Sequence, residues 1–152
     1  MAITQIQRSA LLPFKVEQLF EMVADVRAYP SFLPWCTAVD VLEETEDLLE
    51  ARVTAGAVGV SQSFVTRNLM NAPDSIELTL VEGPFERFAG RWDFVALADA
   101  TVSGAKIELD MQFELVRKNP LLHRTFGSLF ERASETLVES FCERAQTLYG
   151  AT

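Results

Sequence analysis

The stretch from Pro120 to Tyr149 constrains this chain most, because it is the only long helical pattern and it follows almost nothing but strands. At about 1.5 Å per residue such a helix spans roughly 45 Å. Stepping about 100° per residue, Phe126, Leu129, Phe130, Ala133, Leu137, Phe141 and Leu148 share one face, while Glu131, Glu135, Glu139 and Glu143 run down the opposite side. An apolar stripe of that length has to be covered. The preceding residues offer mainly strands, so the expectation is a sheet closed over a helix.

Ile3 to Leu12 predicts the first of those strands, although Arg8 interrupts it. Pro13 suits a first helical position, and Val16, Leu19, Phe20 and Val23 fall at helical spacing, which predicts a short helix from Pro13 to Ala24. The segment Asp25 to Cys36 then carries Pro30 and Pro34 together with Tyr29, Phe32 and Trp35. Two prolines so close exclude a regular helix interior or a central strand, leaving a stiff corner. On composition alone it reads as a hydrophobic plug sealing one end of the core in preference to a ligand gate.

From Thr37 a meander is expected. Val39 and Val41 lead to an acidic turn over Glu43 to Asp47, and Leu49, Ala51 and Val53 lead away from it. Gly56 and Gly59 mark a second turn or bulge, and Val60 to Asn68 is a strand with polar residues on both faces, hence either an edge or the wall of a partly wet cavity. Ile76, Leu78 and Leu80 give another strand, and after the Gly83-Pro84 turn Gly90, Trp92, Phe94 and Ala96 share one strand face. Ile107, Leu109, Met111, Phe113 and Leu115 alternate with Lys106, Glu108, Asp110, Gln112 and Glu114, which predicts one core face and one solvent face. Small residues such as Ala51, Ala55 and Gly59 favour space between sheet and helix.

Composition bounds the function. The 152 residues read as a single domain, 1–152, with one core. No apolar run approaches a membrane span and no basic-then-apolar leader opens the chain, so a soluble, cytoplasmic protein without a transmembrane segment is expected. Cys36 and Cys142 match no metal or redox spacing and read as reduced thiols, and a single histidine, His123, argues against zinc. A formal charge of −9 argues against a DNA-binding protein. No Ser-His-Asp or Cys-His set can be assembled, so an enzyme is not expected.

The motifs Asp25-x-x-x-Tyr29-Pro30-x-Phe32-Leu33-Pro34-Trp35-Cys36, Ser61-x-Ser63-Phe64-x-Thr66-Arg67 and Gly83-Pro84-Phe85 followed by Gly90-x-Trp92-x-Phe94 resemble the coenzyme Q-binding branch of the helix-grip (START-like) superfamily. The resemblance covers nearly the whole chain. It implies an α+β fold in which an antiparallel sheet of about seven strands wraps around the long C-terminal helix. It also implies one of two non-enzymatic activities. The first is binding of ubiquinone or another polyprenyl lipid in support of respiration, with transient membrane contact and no covalent cofactor. The alternative is binding to the large ribosomal subunit so that it cannot join the small one, which inhibits translation. For the first, the implied lining is Tyr29, Phe32, Leu33, Trp35, Phe64, Trp92, Phe94, Phe126, Phe130, Ala133 and Leu137, with the corner at Tyr29 to Trp35 as a gate. For polar or ribosomal contacts the candidates are Arg67, Arg87 and Arg91, and Arg144 near the end of the last helix.

Overall fold

A computed structural model describes residues 3–57, 59–97 and 104–150. The chain runs β1 (Thr4–Leu12), α1 (Val16–Ala24), a short 3-10 helix (Val26–Ser31), β2 (Cys36–Glu44), β3 (Leu48–Ala57), β4 (Val60–Asn71), β5 (Ser75–Glu82), β6 (Phe85–Ala96), β7 (Ala105–Leu115) and α2 (Pro120–Tyr149). The strands form one antiparallel sheet in the order β1-β7-β6-β5-β4-β3-β2, and the long C-terminal helix packs on it. This is the helix-grip arrangement expected from the sequence.

The strict alternation of β7 decides its two faces. Ile107, Leu109, Met111 and Phe113 are all at most 3% exposed, whereas Asp110 and Gln112 face solvent. Glu114 departs from the expected solvent face, being only 8% exposed with its carboxylate 3.7 Å from Arg87. On β6, Trp92 and Phe94 are buried as expected but Ala96, at the end of the strand, is exposed. β4 lies between β3 and β5, so it is no edge strand, and Phe64, Thr66 and Asn68 are buried along one face, with Val65 buried on the other.

Two boundaries shift from the sequence expectation. Helix α1 starts at Val16, because Lys15 is still extended (φ −73°, ψ 147°) and its backbone N–H donates to Gln18 Oε1 at 3.1 Å. Pro13 therefore lies ahead of the helix, where the bend lets Phe14 reach Tyr149, with ring centroids 5.9 Å apart. The second turn centres on Gly59 (φ +78°), and Gly56 stays within β3.

Helix α2 begins where Pro120 requires. Asn119 caps it, its side-chain oxygen accepting from the N–H groups of Leu121 and Leu122, each at 3.1 Å. Its buried residues are Phe126, Gly127, Phe130, Ala133, Ser134, Val138, Phe141 and Ala145, with the four glutamates exposed. Leu148 is 44% exposed, against expectation. The buried seam follows four-residue steps, 126-130-134-138 and then 141-145-149, a row inclined to the helix axis. Tyr149 ends that row, its hydroxyl donating to the carbonyl of Gln18 at 3.0 Å, and Leu148 is turned out.

Phe130 is the hub of the core. Its ring centroid lies 4.8 Å from Phe113, 5.0 Å from Phe85 and 5.6 Å from both Phe64 and Phe126. These separations are those of favourable edge-to-face and offset packing. The β5–β6 turn seals the same end through a close approach: at Gly83 (φ +154°) an added Cβ would sit 2.7 Å from Phe64 Cβ.

Candidate functional site

Where the phenylalanine hub ends, side chains on both layers become smaller. Ala51 on β3, Thr66 on β4 and Ala133 and Ser134 on α2 leave an internal cavity of about 90 Å³. Of the candidate lining residues, Tyr29, Trp35, Phe64, Trp92, Phe130, Ala133 and Leu137 surround it. Thr66 and Asn68 also line it, and the Thr66 hydroxyl donates to Asn68 Oδ1 at 3.1 Å, so this wall is polar yet internally bonded. Of the two alternatives that the strand's two-sided polarity left open, an edge or a cavity wall, the structure shows the wall. Of the small residues, Ala51 faces the cavity, Ala55 is buried away from it and Gly59 sits in a turn.

Four expected lining residues lie elsewhere. Leu33 is wholly buried in the core. Phe32 packs edge-on to Phe141 at 5.4 Å, covered on its other side by the Arg144 guanidinium 4.9 Å from the ring centroid. Phe94 stacks on Trp92 and meets Phe20 edge-on at 5.5 Å. Phe126 packs into the phenylalanine hub against Phe85 and Phe130. The three rings among them pack against other protein rings, and the Arg144 guanidinium makes a cation–π contact with Phe32.

The proline-rich corner is fastened at several points. The Tyr29 hydroxyl donates to the Val23 carbonyl, its ring meets Phe141 at 5.4 Å, and the Leu33 N–H donates to the Tyr29 carbonyl at 2.9 Å. Burial pushes the Tyr29 phenol far above its ordinary range, with Cys36 and Asp25 adding to the shift. Burial also raises the Cys36 thiol to about 11. These are properties of a plug. One group breaks the pattern: among the described residues, the Trp35 indole N–H is the buried side-chain donor with no acceptor. A plug tryptophan would bond its N–H to a fixed acceptor.

The three strand arginines do not make a free basic surface. Each stands directly across the ladder from a carboxylate: Arg67 from Glu50, Arg91 from Glu77 and Arg87 from Glu114. Their closest N···O separations are 2.9, 2.6 and 3.7 Å, and Arg91 also holds Asp93 at 3.0 Å. Cross-strand pairing of opposite charges is how an exposed sheet face satisfies itself. Among the described residues no group of His, Cys, Asp and Glu side chains is arranged to hold a metal ion, and no helix is long and apolar enough to cross a membrane.

Residues 12–142 match the family described as polyketide cyclase / dehydrase and lipid transport. The chain is 47% identical to the ribosome association toxin RatA of Pseudomonas aeruginosa, over 97% of this chain and 99% of that protein. It is 25% identical to the mitochondrial coenzyme Q-binding protein COQ10 of Dictyostelium discoideum, over 93% of this chain and 68% of that one. Its fold is similar to that of the Zhui aromatase/cyclase from Streptomyces sp. R1128, with a TM-score of 0.79 at 16% identity, covering 95% and 94% of the two chains.

Proposed function

We propose that this chain, which belongs to the polyketide cyclase / dehydrase and lipid transport family, is a ribosome association factor that binds the large ribosomal subunit and keeps it from joining the small one. The observation that carries this reading is the 47% identity to a ribosome association toxin across nearly the full length of both proteins. The interior is consistent with it. A cavity of about 90 Å³ is well below the roughly 300–1,000 Å³ of sites for drug-sized ligands, so a surface activity asks less of this structure than a lipid-carrying one. Of the two activities that the sequence resemblance implies, ubiquinone binding stands first in the sequence reading, and the similarity favours the alternative. The reading uses no catalytic residue.

The test is subunit joining. Purified protein is added to separated subunits and the mixture resolved on a sucrose gradient. The joined particle should diminish and the protein should travel with the large subunit. Undiminished joining, with the protein left at the top of the gradient, would overturn the proposal.

A second reading, binding of a quinone or other prenyl lipid, is favoured by one observation, the unpartnered indole N–H of Trp35 beside a cavity with a polar wall. A carbonyl oxygen is the acceptor such a donor lacks. Native mass spectrometry of protein purified from its own host tests it: a stoichiometric lipid adduct supports this reading, and ligand-free protein removes it.

A further inference from the structure

The chain has thirteen lysines and arginines, and Arg27, Arg67, Arg87, Arg91 and Lys106 are ion-paired. Among the described residues the remaining cations have no carboxylate partner, and three of these, Arg117, Lys118 and Arg124, come together where β7 passes into α2. All three are exposed. Arg117 and Arg124 share the walls of one groove with His123 and Ser128. The acids there are Glu131, also on the groove, and Glu114, which is buried against Arg87. The first amides of the helix are already taken by Asn119, so the positive charge of this end belongs to side chains.

We propose that this basic end is the surface that meets ribosomal RNA phosphates, an assignment that rests on the ribosome-binding reading above. A protein of net charge −9 is repelled by RNA on most approaches, so the productive approach is the one its unpaired cations lead. Glu131 offsets one of the three cations, and the rest of the glutamate row lies too far along the helix to cancel the others. Glu135 lies eleven residues beyond Arg124, about 16 Å along the helix, and Glu139 about 22 Å. Both exceed the screening length of about 8 Å at physiological salt. Long unpaired arginine and lysine side chains suit phosphate oxygens, whereas the cross-paired arginines of the sheet would first have to give up their carboxylates.

The experiment measures binding to purified large subunits across a salt series for the full chain and three variants. One is Arg117→Ala/Lys118→Ala/Arg124→Ala. A second, Arg8→Ala/Lys15→Ala/Arg52→Ala, removes the same charge elsewhere. The third, Arg117→Lys/Arg124→Lys, keeps the charge. Three phosphate contacts contribute roughly 2 to 3 to the slope of log K against log salt, so between 50 and 200 mM the wild type should lose about 20- to 40-fold more affinity than the first variant. The second and third variants should keep the wild-type slope. Equal slopes for wild type and first variant overturn the assignment. So does weaker binding with an unchanged slope, which indicates that the lost contacts are not ionic, or an equal change in the second variant, which indicates a net-charge effect. Wild-type protein that does not bind large subunits at all overturns the proposed function, and this assignment falls with it.

Discussion

Replacing Ala133 by leucine tests the interior of this protein most directly. Ala133 is 5% exposed on α2 and lines the cavity of about 90 Å³. A cavity of that volume carries a penalty of about 2 kcal/mol at the ~24 cal/mol per Å³ found for core cavities. Leucine adds three carbons, worth about 2.4 kcal/mol at ~0.8 each when buried, and gives back ~0.5–1 kcal/mol in side-chain entropy. The net expectation is that Ala133→Leu stabilises the fold by about 1–2 kcal/mol. Ala133→Trp exceeds the space and should cost about 1–3 kcal/mol by overpacking. Urea unfolding resolves both signs, since a slope of ~2 kcal/mol per M, within the typical ~1–3, turns the leucine gain into a midpoint shift of roughly 0.5–1 M. The same leucine variant should inhibit subunit joining as well as wild type, because it leaves the outer surface intact. Destabilisation by leucine would mean that the space is not free in solution. Stabilisation with lost ribosome binding would mean that the cavity takes part in the activity.

Three further outcomes follow from the same contacts. Phe130→Ala removes the hub of the phenylalanine cluster and should cost about 3–5 kcal/mol in urea unfolding; a loss under 1 kcal/mol would show that the ring packing is not what holds α2 to the sheet. Trp35→Phe deletes a buried donor that has no acceptor, so ligand-free protein should be unchanged or up to ~1 kcal/mol more stable, whereas a clear loss would reveal an acceptor bound in solution. The Cys36 thiol is raised from 9.0 to about 11 and the Tyr29 phenol is also raised, so above pH ~9 the unfolded chain gives up these protons first and the native state holds more of them. Stability should therefore be flat below pH ~8 and fall from ~9 toward 11, less steeply in Cys36→Ala; a urea midpoint constant to pH 10.5 would contradict the burial of both groups.

Legibility from sequence tracks the range of the physics involved. The bounds of α2 and the alternating faces of β7 come from local periodicity, and both agree with the structure nearly residue for residue. The start of α1 differs from the sequence expectation because a proline admits a helix start without compelling one, and the Gln18 side chain decides it by reaching back to Lys15. A seven-residue step projects Leu148 onto Phe141 and so predicts it inside, whereas the seam drifts by four-residue steps to Tyr149. The cavity-lining set was read in part: Tyr29, Trp35, Trp92 and Ala133 face the space, but whether Phe32 or Phe126 does depends on rings brought from distant strands. The strand arginines failed for a similar reason. Their partners Glu50, Glu77 and Glu114 are set by strand register, which a scan for basic residues along the chain does not see.

Cavity size bears on function through the work needed to enlarge it. Opening the corner to admit a quinone ring with part of a prenyl tail exposes Leu33 and parts Tyr29 and Phe32 from Phe141. At roughly 1.5–3 kcal/mol for each large apolar side chain returned to water, opening costs about 5–9 kcal/mol. A ligand burying ~300 Å² of apolar surface returns about 7.5 kcal/mol at 25 cal/mol per Å². The two nearly cancel, and the single new hydrogen bond to Trp35 adds only about 1 kcal/mol. Micromolar affinity requires about 8 kcal/mol net, so entry by opening the corner would give at most weak lipid binding. A surface carrying unpaired cations asks for no such opening. Tight binding of a prenyl quinone by the wild type, with the corner unchanged in hydrogen exchange, would break this argument, because the ligand would then be held without the displacement on which the cost depends.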